Sequence, residues 1–135
     1  MISDYAREVS EGNFDQVVLQ SKTPVLVEFW AKWCGPCRAL APVVELVAEH
    51  YVGAVDVFKL NVDDSPKVME HYEVRVIPTL VLLQGGVEKE RIIGGVSQQE
   101  ISSLIDRHIN LRRIKNFETK SNTPSTSCGT SPEQR

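Results

Sequence analysis

The sequence has few cysteines, and this scarcity excludes one class of small protein. It contains three in 135 residues, and two of them, Cys34 and Cys37, lie three positions apart. A secreted domain that is held together by a disulfide framework needs more cysteines, spread along the chain. The close pair is therefore interpreted as a site of redox chemistry or of metal binding.

Long hydrophobic runs are also missing. The longest apolar stretches, residues 24–29 and 79–83, fall far short of the roughly 18 residues that a membrane-spanning helix needs. The first eight residues contain no basic stretch followed by an apolar core, which a signal or transit peptide would require. We therefore expect a soluble protein with no membrane partner, in the reducing cytoplasm.

An excess of positive charge is absent too. The 15 basic and 18 acidic residues give a net charge of -3, which argues against nucleic acid or an anionic membrane as the main partner. With 41% hydrophobic residues, the composition is that of an ordinary globular protein. A chain of this length predicts one folded domain with a real core.

The order of the predicted elements indicates an α/β fold. An apolar run at 24–30 predicts a buried central strand, and apolar residues at helical spacing predict a helix at 38–51. The other predicted strands are 5–9, 55–62, 74–83 and 87–93, and further helices are predicted to begin at Asn13, Ser65 and Ser97. The two glycines of residues 84–86 predict an antiparallel hairpin. This order predicts a central mixed β-sheet flanked by helices on both faces.

The composition changes near the C-terminus. Residues 118–135 have no apolar side chain except Cys128 and are rich in Ser, Thr, Pro and Asn, so they cannot bury enough surface to become ordered. We expect a folded domain over residues 1–112 and a disordered polar tail over 113–135. Cys128 is interpreted as an incidental thiol, with a regulatory disulfide there as the alternative.

The segment CGPC, residues 34–37, carries the chemistry. A strand that leads directly into a helix at this segment places Cys34 where the helix amides and dipole favour a thiolate. The two-residue spacer lets Cys37 attack a mixed disulfide formed at Cys34. Half of a zinc site is the alternative, but the three histidines are scattered and no second ligand pair has the usual spacing. We therefore predict no metal.

Three separated motifs together resemble the thioredoxin family. They are FWAKWCGPC at residues 29–37, KLNVD at 59–63 and IPTL at 77–80, and the likeness runs from about residue 6 to 109. The resemblance implies a thioredoxin-like fold and a thiol-disulfide oxidoreductase that acts as a general protein-disulfide reductase in cell redox homeostasis.

The resemblance also implies roles for single residues. Cys34 would be the exposed nucleophile and Cys37 the buried resolving thiol, while Gly35 and Pro36 form the spacer that influences reduction potential. Trp33 would border the site.

On the opposite side of the site, the resemblance makes Pro78 a cis-proline that faces the redox pair, although sequence alone favours a trans bond. The backbone of Ile77 would then pair with a substrate peptide, and Gly94 would let that peptide approach closely.

Glu28 departs from the commoner family pattern, which has Asp at the matching position. A carboxyl group in an apolar strand should have a raised pKa, which suits it to accept the proton of Cys37. The alternative is that Glu28 reaches solvent at the strand end. Lys59 matches a family lysine near this carboxylate, with a solvated strand charge as the alternative.

The resemblance implies protein partners and no bound cofactor. The partners would be disulfide-containing target proteins and a thioredoxin reductase, which is either NADPH-dependent or ferredoxin-dependent; we expect a monomer. An oxidase or isomerase is a rival within the same chemistry, although the Gly-Pro spacer favours a reductase. A second alternative is a binding module that uses the groove of Trp33, Ile77 and Gly94 without redox chemistry.

Overall fold

The computed structural model of this chain describes residues 5–109. Its strands are β1 (Arg7–Val9), β2 (Val25–Trp30), β3 (Asp56–Asn61), β4 (Thr79–Gln84) and β5 (Val87–Ile93). Its helices are α1 (Gly35–His50), α2 (Pro66–His71) and α3 (Gln98–His108), with a short π-helix at Asp15–Leu19. The expected domain end at residue 112, the tail 113–135 and Cys128 lie outside the described residues.

The strands form one mixed sheet with β2 at its centre. The strand order is β1-β3-β2-β4-β5, with parallel pairing among β1, β3 and β2 and antiparallel pairing of β4 with β2 and β5. Five consecutive side chains of β2 are buried, as its apolar run predicts. The predicted fold class, a mixed sheet with helices, is confirmed.

Hydrophobic side chains pack on both faces of this sheet. Successive residues of a strand point to opposite faces. Leu26 packs in a cluster with Val44 of α1 and Leu104 of α3, whereas Phe29 packs in a second cluster and faces the ring of Tyr72. The central strand is therefore covered on both sides, and it holds the start of α1 in a fixed position.

The fourth strand begins later than predicted. The apolar pattern predicts a strand from residue 74, but β4 begins at Thr79, directly after a cis peptide bond between Ile77 and Pro78. Proline has no N–H to donate to a strand ladder, so the residues before it are excluded from regular pairing. Residues 74–78 instead form an irregular segment that reaches the redox pair.

The start of α3 is as predicted, whereas the first helix differs from the prediction. Ser97 and Glu100 form the predicted capping box of α3. Asn13, however, accepts a hydrogen bond from the backbone N–H of Ser10 rather than capping a helix, and the helix that follows is a π-helix.

The start of α2 lies where it was predicted, but its capping contact differs. Ser65 is the N-cap residue of α2 and Pro66 its first residue, as predicted, but the Ser65 hydroxyl accepts a hydrogen bond from the N–H of Glu11 and makes no capping bond. The carboxylate of Glu11 accepts one from the N–H of Lys67, in the first turn of α2. A residue from another part of the chain therefore supplies the acceptor at this helix start.

None of the helices between residues 5 and 109 is both long and apolar enough to cross a lipid bilayer.

The hairpin between β4 and β5 gives a test of local packing. Gly85 and Gly86 both have positive φ, at 60° and 79°. A Cβ on Gly86 would lie 2.9 Å from the backbone oxygen of Leu19, whereas a Cβ on Gly85 would have no atom within 4 Å. We expect Gly86→Ala to lower the free energy of unfolding by about 2–3 kcal/mol, because it adds a backbone clash to the unfavourable φ. Gly85→Ala, the matched control, should cost about 1 kcal/mol. Urea unfolding of both variants measures the difference, and equal losses would contradict the predicted clash.

Candidate active site

The junction between β2 and α1 determines the position of Cys34. The strand β2 ends at Trp30, and Cys34 is the N-cap residue of α1 in an extended conformation, with Pro36 in the first turn. The Cys34 sulfur accepts a hydrogen bond from the backbone N–H of Cys37 at 3.2 Å. A side-chain acceptor at this position satisfies a helix amide that would otherwise lack a partner. The same amide would stabilise negative charge on the Cys34 sulfur.

Cys34 and Cys37 are joined by a disulfide bond, and their Cα atoms are 5.2 Å apart. The residues are 5% and 2% exposed. Cys34 is the more accessible of the two, but it is not the exposed residue that the family resemblance implied. The Ile77 backbone lies over it, with the carbonyl oxygen 3.8 Å from the Cys34 sulfur. From residue 5 to residue 109, no group of three or more His, Cys, Asp or Glu side chains could hold a metal ion.

Trp33 lies on the surface beside the disulfide and is 67% exposed. Its indole N–H donates a hydrogen bond of 2.9 Å to the carboxylate of Asp63, in the loop after β3. The backbone N–H of Asp63 in turn donates to the side-chain oxygen of Asn61. The indole hydrogen bond joins the exposed ring to the loop after β3. Asp63 belongs to the KLNVD motif, but no sequence pattern predicts its contact with Trp33.

The segment before β4 approaches Cys34 through Ile77, and Pro78 in this segment is hydrogen-bonded to Gly94. The N–H of Gly94 donates a hydrogen bond of 2.8 Å to the carbonyl oxygen of Pro78. Gly94 has a φ of 93°, which side-chain-bearing residues rarely adopt, and no atom lies within 4 Å of the place where a Cβ would be. Ile77 thus lies near the Cys34 sulfur, and Gly94 is joined to the next residue, Pro78, while Gly35 and Pro36 in the first turn of α1 are exposed.

Glu28 is buried in the centre of the sheet and is only 2% exposed. Desolvation raises the pKa of Glu28 to about 7; the charge of Lys59 opposes this shift, and the charge of Glu8 adds to it. The alternative that Glu28 reaches solvent is therefore wrong. A carboxyl group with this pKa can both accept and release a proton near neutral pH.

Lys59 lies beside Glu28 on β3, in the same register row of the sheet. Its ammonium is 3.8 Å from the carboxylate of Glu8 and 5.6 Å from the centre of the Trp30 ring. The side chain is only partly exposed, so Lys59 is not simply a solvated charge. Glu8 was not among the predicted site residues, because only the pairing of β1 with β3 brings it to Lys59.

Comparisons with known proteins agree with this geometry. The thioredoxin family model matches residues 6–107, which is most of the chain. The chain belongs to the thioredoxin family. Family membership and the Cys34–Cys37 disulfide together support thiol-disulfide oxidoreductase chemistry at this pair, and they confirm the resemblance seen in the three motifs.

Individual relatives extend over the same region. The chain is similar to an M-type chloroplastic thioredoxin of Zea mays, with 48% identity over 99 residues that cover 73% of this chain and 59% of the relative. It is 46% identical to thioredoxin M5 of Oryza sativa over 99 residues, covering 73% of this chain and 58% of that protein. It is 43% identical to thioredoxin 1 of a Nostoc species over 104 residues, 77% of this chain and 97% of the relative.

These relatives bear on the expected location. The matched stretch spans about three-fifths of the two plant proteins, whose names place them in chloroplasts. The cytoplasmic location expected from the sequence therefore remains a prediction without support from these relatives.

The raised pKa of Glu28 has a consequence for stability. The pKa is about 7 in the folded chain and 4.5 in the reference state, so the folded chain binds more protons between these values and its stability falls as pH rises through them. We expect this group to lower the free energy of unfolding by about 3 kcal/mol between pH 4.5 and pH 8. Glu28→Gln, which cannot ionise, should lack this fall.

Chemical denaturation of the oxidised protein across this pH range tests the effect. Glu70→Gln, which removes an exposed carboxylate from α2, serves as the matched control and should keep the fall. A parallel pH dependence in Glu28→Gln and the native chain would show that Glu28 does not titrate as expected.

Proposed function

We propose that this chain is a general protein-disulfide reductase of cell redox homeostasis, in which Cys34 attacks the target and Cys37 releases it. The observation that carries the proposal is the Cys34–Cys37 disulfide at the start of α1, within a thioredoxin domain. The disulfide is the oxidised state that such a reductase reaches after each turnover.

The first step is attack on the target by the reduced protein. The Cys34 thiolate attacks one sulfur of a target disulfide, so that a bond between Cys34 and the target forms and the target's own S–S bond breaks. The other target sulfur leaves as a thiolate and takes a proton from water. The Cys37 amide, which donates to the Cys34 sulfur, supports thiolate formation at this residue.

The second step releases the target. The Cys37 thiol gives its proton to the Glu28 carboxylate, and the resulting thiolate attacks the Cys34 sulfur. The bond between Cys34 and the target breaks, the second target sulfur leaves as a thiolate, and the Cys34–Cys37 disulfide forms. Two electrons have then passed to the target. The burial and the raised pKa of Glu28 support its role as proton acceptor, with Lys59 as the neighbouring charge.

The target peptide is proposed to lie across the surface formed by Trp33, Ile77, Pro78 and Gly94. The short distance between the Ile77 oxygen and the Cys34 sulfur supports pairing of the peptide with the Ile77 backbone. The open space at Gly94 supports close approach of the peptide there. Gly35 and Pro36, between the two cysteines, are proposed to influence the reduction potential.

A reductase must return two electrons to the disulfide. Thioredoxins are in general reduced by a thioredoxin reductase or by a ferredoxin-linked system, and we propose that one of these serves this chain. The chloroplastic relatives favour a location in the chloroplast, and with it the ferredoxin-linked donor, over the cytoplasm expected from the sequence. A reduction assay with each donor in turn distinguishes the two.

Replacement of the cysteines tests the assigned roles. We expect Cys34→Ser to abolish insulin reduction, because no attacking thiolate remains, whereas Cys37→Ser should accumulate a covalent mixed disulfide that mass spectrometry detects. Cys128→Ser is the matched control and should retain full activity. A trapped adduct at Cys37 in the Cys34→Ser variant would reverse the assigned roles.

The double variant Cys34→Ser with Cys37→Ser separates the reductase from a binding module. A reductase loses all disulfide-reduction activity with this change, whereas a binding module keeps its function. An isomerase would instead be recognised by the recovery of activity in scrambled ribonuclease without added reductant.

A further inference from the structure

Three charged side chains from three neighbouring strands lie in one row of the sheet. Glu8 on β1 is paired with Lys59 on β3, and Lys59 is paired with Glu28 on β2. Aligned residues of neighbouring strands place their side chains on the same face. The row therefore runs from the exposed edge of the sheet to its buried centre, with a single cation between two carboxylates.

The cation of this row is drawn toward the edge. Among the ion pairs between residues 5 and 109, Lys59 pairs with Glu8 at 3.8 Å and forms none with Glu28. The ring of Trp30 lies 5.6 Å from the same ammonium. Glu8 is 59% exposed in its side chain, so its charge can be held at a lower desolvation cost than that of Glu28.

Few other charged groups lie near this row, so Glu8 is the group best placed to attract the Lys59 ammonium. The charges that act on Glu28 are those of Lys59 and Glu8, and the charges that act on Glu8 are those of Lys59, Asp64 and Lys32. The helices α1 and α3 cover this face with apolar side chains, including those of Leu40, Val44, Ile101 and Leu104.

We propose that Glu8 is a positioning residue for the release step: it holds the Lys59 ammonium toward the sheet edge and so keeps Glu28 a strong enough base to deprotonate Cys37. This inference rests on the proposed function, in which Glu28 accepts the Cys37 proton. Without the charge of Glu8, Lys59 turns to Glu28 and stabilises its carboxylate, which then holds a proton less well. Glu8 is effective only when it is ionised.

Titration of Glu28 in the full-length reduced protein tests the inference directly. With the Glu28 side-chain carboxyl labelled with carbon-13, NMR gives its titration midpoint. Direct repulsion by Glu8, two strands or about 10 Å from Glu28, accounts for about 0.3 pH unit of this midpoint at the dielectric constant of water. We expect Glu8→Gln to lower the midpoint by about 1 pH unit, because Lys59 also turns toward Glu28 and contributes the larger part of the shift. Glu8→Asp, which keeps the charge, should recover most of the shift. Because Glu8 is exposed, 1 M salt should reduce the difference.

Two further variants show whether Glu8 acts through Lys59. Lys59→Met should raise the Glu28 midpoint, because it removes the neighbouring cation. In this Lys59→Met background, Glu8→Gln should lower the midpoint by less than half as much as it does when Lys59 is present. Glu49→Gln is the matched charge control, because Glu49 lies in the last turn of α1, at the opposite end from Cys37. This variant should leave the midpoint unchanged. An equal shift with and without Lys59, or no shift beyond that of Glu49→Gln, would overturn the positioning role.

The rate of the release step provides the functional readout. The rate is measured in single-turnover reduction of a target disulfide. Glu8→Gln should shift the acid limb of the pH–rate profile to lower pH, together with the Glu28 midpoint, and should lower the plateau rate by about 1.5- to 3-fold. The Glu28 midpoint could move in Glu8→Gln while the pH–rate profiles of Glu8→Gln and Glu28→Gln both stay like that of the native chain. This result would overturn the proton-transfer step of the proposed function. An unmoved midpoint would overturn the inference alone and leave the reductase proposal intact.

Discussion

The hydrogen bond from the Cys37 amide to the Cys34 sulfur is the interaction on which the site depends. It exists because β2 ends at Trp30 and α1 begins five residues later, at Gly35, so that Cys34 is the N-cap residue of the helix. A sulfur at this place replaces the oxygen acceptor that helices usually have there. The element that stabilises the fold at this junction therefore also supports the chemistry of the thiol.

A second constraint comes from burying a carboxylate in the strand that leads to this junction. Glu28 has no close ion pair among the described residues, and its desolvation opposes folding at the pH where the proposed chemistry occurs. A well-packed apolar residue would make a more stable strand. The protein thus keeps a residue that lowers its stability above neutral pH, at the position where a proton acceptor is useful.

The sequence predicted most of the fold because the governing signals were local. The apolar run of β2, the two glycines of the hairpin and the Ser97 capping box each led to the observed element. Predictions failed where a distant contact decided the result. The start of α2 takes its acceptor from Glu11, and the strand expected from residue 74 begins only after Pro78, where the backbone turns toward Cys34.

By itself, the sequence determined the family, the redox pair and the order of strands and helices, because these follow from short motifs and from the spacing of apolar residues. Only the tertiary structure decided which charges meet. Glu8, Lys59 and Glu28 are far apart along the chain, and Trp33 and Asp63 belong to different loops. The contacts among the charged residues depend on the register between strands. A slip of one residue would move every side chain of a strand to the other face of the sheet, and no single segment of the sequence encodes the register.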